Sequence, residues 1–159
     1  MEKYKLEQVT NRIIEEAVVK EIMSLDLAVK LIGVVEKKAE EMGLRIVAAV
    51  SDAGGHPVAV HCMDGAYHGS YDVAVNKTFT CTAFQMSTAK LSELCQPGKE
   101  LYGLQFSNGG RVQILGGGEP LMVGKTMIGA LGVSGGSAKE DTFLAAYGKE
   151  QLKEVISCL

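Results

Sequence analysis

Apolar residues recur at helical spacing from Leu6 to Met23: Leu6, Val9, Ile13 and Ala17, with Ile14 and Val18 alongside and Glu and Lys between. The pattern predicts an amphipathic helix. Ser24 interrupts it and suits an N-cap, and Asp26 falls in the next first turn, where the helix dipole favours a carboxylate. The second predicted helix, Leu25 to Met42, turns Leu27, Leu31, Val34, Val35 and Ala39 inward, and Gly43 supplies its stop. Two strands follow, Arg45–Ser51 and Pro57–Met63, joined by Asp52-Ala53-Gly54-Gly55-His56, a hairpin signal. Ile46-Val47-Ala48-Ala49-Val50 is apolar at every position, so the first strand is expected to be central, with helices on both of its faces.

Asp64 to Gly69 reads as a loop, and Ser70 is the expected cap of a third helix, Tyr71 to about Phe84. Ser87 opens a short fourth helix that ends near Cys95, before Pro97-Gly98. Beyond an irregular stretch from Gly98 to Arg111, three strands are predicted: Val112–Leu115, Glu119–Val123 and Thr126–Val133. A last helix runs from Ala138 to about Ile156. Hairpin-linked strands with helices between them imply an α+β domain built on an antiparallel sheet.

At 159 residues the chain suits one domain, and 47% hydrophobic with 22% charged residues excludes wholesale disorder. The net charge of −3, with no basic stripe, argues against a nucleic-acid partner. No apolar run approaches the ~20 residues that span a bilayer, and the charged start Met1-Glu2-Lys3-Tyr4-Lys5 is unlike a secretory signal. The expectation is a cytoplasmic protein whose Cys62, Cys81, Cys95 and Cys158 are free thiols. No spacing among them and the histidines makes a zinc site, and no metal site is expected.

Two glycine-rich segments invite a phosphate-binding reading and fail it. Gly118 to Thr126 has five residues between its glycines where a P-loop needs four; Glu119 would repel phosphate and Pro120 has no N–H to donate. It reads as a hairpin with Gly124-Lys125 at the tip. Gly132-Val133-Ser134-Gly135-Gly136 leads into Ser137-Ala138-Lys139-Glu140, a capping box that uses two of the free amides itself. Of the histidines, His56 sits at a hairpin tip and His61 in a strand. His68, in a glycine-flanked loop beside Asp64 and Tyr67, is the candidate ligand. Lys77, among Ala74, Val75 and Phe79 on a helix, is either a buried salt-bridged lysine or a cation for a ligand. No serine nucleophile motif is present, and no catalytic residue is assigned.

Several segments together resemble the GlcG/HbpS-like haem-binding family. These are Val50-Ser51-Asp52-Ala53-Gly54-Gly55, Met63-Asp64-Gly65-Ala66, Ala74 with Lys77, Gly116-Gly117-Gly118-Glu119-Pro120-Leu121, and Ile128 to Gly136 with Glu140-Asp141. The resemblance covers about residues 24 to 150 of a single domain, 1–159, and leaves residues 1–23 as an extra N-terminal helix. That helix is most similar to the propanediol-utilisation members, cobalamin adenosyltransferases whose C-terminal domain belongs to the family. The resemblance implies a profilin-like three-layer α/β/α fold with a five-stranded antiparallel sheet, homo-oligomers, and haem or corrinoid-related ligands. The sequence departs from the family pattern at three points. The N-terminal helix has no histidine, no two glutamates stand three apart, and Met63 replaces the usual Arg before Asp-Gly-Ala.

The reading that follows is a non-enzymatic small-molecule or cofactor-binding protein, haem or corrinoid related, accessory to cobalamin-dependent diol or glycerol metabolism. A haem-degrading enzyme and a ligand-free oligomeric accessory protein are the alternatives. Tyr67 would stack on a flat cofactor, His68 would ligate haem iron and Lys77 would face a carboxylate. Apolar Met127, Ile128 and Leu131, together with Ile14, Val18 and Ile22, are the surface expected to form the oligomer.

Overall fold

The protein is described by a computed structural model covering residues 22–159; the helix expected over Leu6–Met23 falls almost wholly outside these described residues. The first described helix, α1 (Leu25–Glu41), starts where Ser24 stops the chain, its side chain accepting from the Leu27 N–H at 3.1 Å. It ends at Gly43, whose φ of +71° carries the chain away. The strands are β1 (Val47–Asp52), β2 (Pro57–Cys62), β3 (Gly118–Val123) and β4 (Thr126–Ser134). Helices α2 (Ser70–Phe84) and α3 (Thr88–Leu94) separate the two hairpins, and α4 (Ala138–Ser157) follows β4.

The strands form one antiparallel sheet in the order β2-β1-β4-β3. β1 is central, as its unbroken apolar run requires, and its alternate residues serve two cores. Ala48 and Val50 pack with Leu27, Leu31, Ile32 and Val35 of α1 and Leu144 and Leu152 of α4. Val47 and Ala49 pack on the other face with Ala74 of α2. Burying β-rich apolar residues on both faces fixes the register, because a one-residue slip would exchange the two sets.

Gly132 explains how α2 comes so close to β4. A Cβ there would run into the Ala74 carbonyl oxygen. Only glycine lets the helix backbone settle on the strand.

Two expectations about the elements are corrected by the structure. The sheet has four strands among the described residues, not five, because Val112–Leu115 is not a strand. Its Gln113 N–H is taken instead by the Thr80 hydroxyl of α2 at 2.9 Å, while Val112 buries itself against Leu91 and Cys95. A side chain thus does the work that a neighbouring strand would do. Ser70 is not a cap but the first, buried residue of α2; the N-cap is Gly69 in a helical conformation, and no side chain caps this end. Gln113 and its neighbours belong to a segment whose only regular structure is two short 3₁₀ turns, Leu104–Phe106 and Asn108–Gly110.

The apolar face expected to form an oligomer also changes. Ile128 and Leu131 are buried in this chain's own core, while Ile14 and Val18 lie outside the described residues. Leu25 and Val29 remain exposed one turn apart on α1, away from its core residues, and Ile22, in the bend before the helix, is exposed as well. The four cysteines are unpaired.

Candidate functional site

Lys77 illustrates how a polar residue enters a core. It lies on the sheet-facing side of α2 and is only 1% exposed. Its ammonium donates to the Val133 carbonyl at 2.6 Å and to Asp141 Oδ2 at 3.0 Å. The other Asp141 oxygen accepts the Gly136 N–H at 2.9 Å. Gly117, at φ +113°, makes room for this group, since a Cβ there would sit 2.7 Å from Lys77 Nζ. Burial pushes the Lys77 pKa down and the Asp141 pKa up, each opposed by the partner's charge. Lys77 is therefore a buried, salt-bridged lysine that ties α2 to β4 and α4. Two of its three donors are held by the protein and the side chain is out of solvent, which favours the salt-bridged lysine of the two sequence readings over a cation facing a ligand carboxylate.

Asp141 and the glycines before it form the expected corner into α4, with the capping box in place. The Ser137 hydroxyl accepts from the Glu140 N–H at 3.3 Å and Glu140 accepts from the Ser137 N–H at 2.7 Å. The partnership between Asp141 and Lys77 was not visible, because nothing in the spacing of residues 64 apart signals a contact.

The loop before α2 holds the other two candidates. Gly65, at φ +84°, turns the chain, and the loop closes on itself through Ala66 N–H to Met63 carbonyl and Ser70 N–H to Tyr67 carbonyl, both 3.0 Å. Tyr67 and His68 stand outside this turn, with Tyr67 74% exposed. Tyr71, one turn on, is also exposed. The three histidines differ in one respect. His56 Nδ1 lies 3.4 Å from Asp52 and His61 Nδ1 lies 3.1 Å from Glu36, whereas the His68 ring has no hydrogen-bond partner among the described residues.

A second feature of α2 has no counterpart in the sequence pattern. Arg111 follows the second 3₁₀ turn and lays its guanidinium 3.9 Å from the centre of the Phe79 ring. The positive φ of Asn108, Gly109 and Gly110 bends the chain that delivers it. The run Asn-Gly-Gly-Arg was the available signal for a sharp turn, but not for where the arginine would land. Elsewhere, a cleft of about 420 Å³ between α1 and the loop is lined by Glu36, Lys37, Glu40, Arg45 and Asp64, charges of both signs. Among the described residues no group of three or more His, Cys, Asp or Glu could hold a metal ion. No described helix is long and apolar enough to cross a membrane.

The chain falls in a known class: residues 23–150 match the family described as haem degrading protein HbpS-like, and the chain belongs to that family. It is 39% identical over 123 residues to a Citrobacter freundii protein described as an uncharacterised 15.0 kDa protein in the dhaT-dhaS intergenic region, covering 77% of this chain and 87% of that one. It is 35% identical over 109 residues to the corrinoid adenosyltransferase PduO of Salmonella typhimurium, covering 69% of this chain and 32% of that protein. The chain thus spans about a third of that adenosyltransferase. Among solved structures it is similar to a PduOC:haem complex, with a TM-score of 0.78 and 31% identity over 81% of this chain and 94% of that one.

Proposed function

We propose that this protein is a small-molecule-binding module, accessory to cobalamin-dependent diol or glycerol metabolism, whose ligand is haem held on the Tyr67–Tyr71 side of α2. The observation that carries the reading is the state of His68: exposed, on an ordered loop, and the one histidine whose ring is not engaged by a carboxylate. The donor set fits the group. His68 offers a nitrogen of the kind that holds haem iron, and Tyr67 offers an exposed ring for a flat macrocycle. Bound haem supplies the redox and oxygen chemistry of its iron; the residues named here bind and orient it. The similarity to a haem complex supports the choice of ligand, and the similarity to part of a corrinoid adenosyltransferase supports the metabolic setting. The exposed Leu25 and Val29 of α1, with Ile22 just before it, support a homo-oligomer, since clustered exposed apolar residues mark interfaces.

The test is a haemin titration of wild type, His68→Ala, His56→Ala and His61→Ala, followed in the Soret band, with hydroxocobalamin run in parallel. Wild type, His56→Ala and His61→Ala are expected to bind haemin saturably, and His68→Ala to lose the spectral shift. Unchanged affinity and spectrum in His68→Ala would sink the assignment, and tight binding of hydroxocobalamin alone would replace haem with a corrinoid. The family's description favours a second reading, a haem-degrading enzyme; bilin formation from the complex under a reductant would establish it.

A further inference from the structure

With Lys77 committed to Asp141, the flat anionic ligand of the preceding reading still needs a cation for its carboxylate. We propose that Arg111 is that cation: a preset guanidinium that takes one carboxylate of the ligand on the outer face of α2, an inference that rests on the haem reading above.

Three observations carry it. The side chain is positioned from two sides, lying over Phe79 at 3.9 Å from the ring centre, with Nε 3.5 Å from Asn76 Oδ1. A guanidinium stacked on a ring keeps its outer N–H edge open to solvent, and that edge matches a carboxylate in two parallel hydrogen bonds. The backbone is pinned as well, because the Thr80 hydroxyl accepts the Gln113 N–H at 2.9 Å and lies 3.5 Å from the Arg111 carbonyl oxygen. Less side-chain entropy is then lost when an anion arrives. Finally, no carboxylate among the described residues forms an ion pair with Arg111, although the residue is exposed.

The location suits the ligand class. Asn76 lies six residues beyond Ser70, at about 1.5 Å of rise per residue roughly 9 Å along the axis of α2. Asp72 stands one turn before Asn76 and is exposed, so the surface is only weakly positive. A single carboxylate is accommodated there, and a polyphosphate is opposed.

The experiment compares haemin with haemin dimethyl ester, in which the carboxylates are masked, on wild type, Arg111→Ala and Arg111→Lys. Arg111→Ala is expected to weaken haemin binding about tenfold or more and to leave ester binding unchanged, since the charge-assisted pair is absent from the ester. Arg111→Lys should recover only part of the loss, having charge without the planar fork. Melting temperatures serve as the control for folding. Equal haemin affinity in wild type and Arg111→Ala overturns the proposal while the His68 reading stands, and so does an equal loss for haemin and its ester. Absence of saturable haemin binding to wild type overturns both.

Discussion

Lys77 of α2 and Asp141 of α4 belong to helices on opposite faces of the sheet, yet their side chains meet at 3.0 Å beside Gly117, both out of solvent. The pair couples the two layers. It also explains why two charges are tolerated in a core: they neutralise each other, and the Val133 carbonyl and the Gly136 N–H take up further hydrogen bonds of the pair.

Removing one partner leaves the other charge buried and alone. Lys77→Met is therefore expected to destabilise by about 3–5 kcal/mol, and the double change Lys77→Met/Asp141→Leu by clearly less than the two single changes added together. Urea unfolding of the four proteins measures this. Additive losses would show that the pair is not coupled.

Gly117→Ala tests the gap that the pair occupies. The residue has φ +113°, and a Cβ would stand 2.7 Å from both Lys77 Nζ and Asp141 Cβ. The expected loss is about 2 kcal/mol or more, from backbone strain alone in the order of 1–3 kcal/mol. Thermal melts of the variant beside Gly124→Ala would check it. Gly124 also has a positive φ but open space around it, so the difference between the variants isolates the contact.

The capping box of α4 makes a prediction with a pH sign. Ser137→Ala should cost about 1 kcal/mol without changing haemin affinity. The Ser137 backbone N–H and side chain hold the Glu140 pKa below its ordinary 4.5. A carboxyl whose folded pKa is depressed contributes stability above its unfolded value and loses it as pH falls through the folded one. Wild type is thus expected to melt above Glu140→Gln at neutral pH, with the gap closing below about pH 4.5. A gap that persists unchanged to pH 2 contradicts the assignment.

Leu25→Glu and Val29→Glu place charges on the exposed stripe of α1 without touching its core side. Light scattering should show wild type as an oligomer at micromolar concentration and the double variant shifted toward the monomer mass. A monomeric wild type would remove the stripe's role.

Much of this fold could be read from periodicity. The continuous apolar run at 46–50 announced a strand covered on both faces, and Ser24, Ser87 and Ser137 each cap the helix expected of them. Val112–Leu115 misled because a short apolar run says only that residues are buried. Here Thr80 supplies the hydrogen bond that the pattern attributed to a strand. The site was legible to the extent that a glycine-flanked loop exposes its histidine. The committed state of Lys77 depends on Asp141, and the stacking of Arg111 on Phe79 depends on a turn; both are facts of tertiary contact.

The Thr80 hydroxyl has one further implication. It donates to the Asn76 carbonyl at 2.7 Å inside α2 and accepts the Gln113 N–H from outside, so one oxygen serves both the helix and the irregular segment that carries Arg111. The sheet and its two cores make no use of that oxygen. The segment from Gln96 to Leu115 is held by that oxygen and by its own small core, in which Val112 is buried with Leu91 and Cys95 and Leu101, Leu104 and Ile114 pack against them, so its turns are anchored to α2 and α3 without a strand of their own.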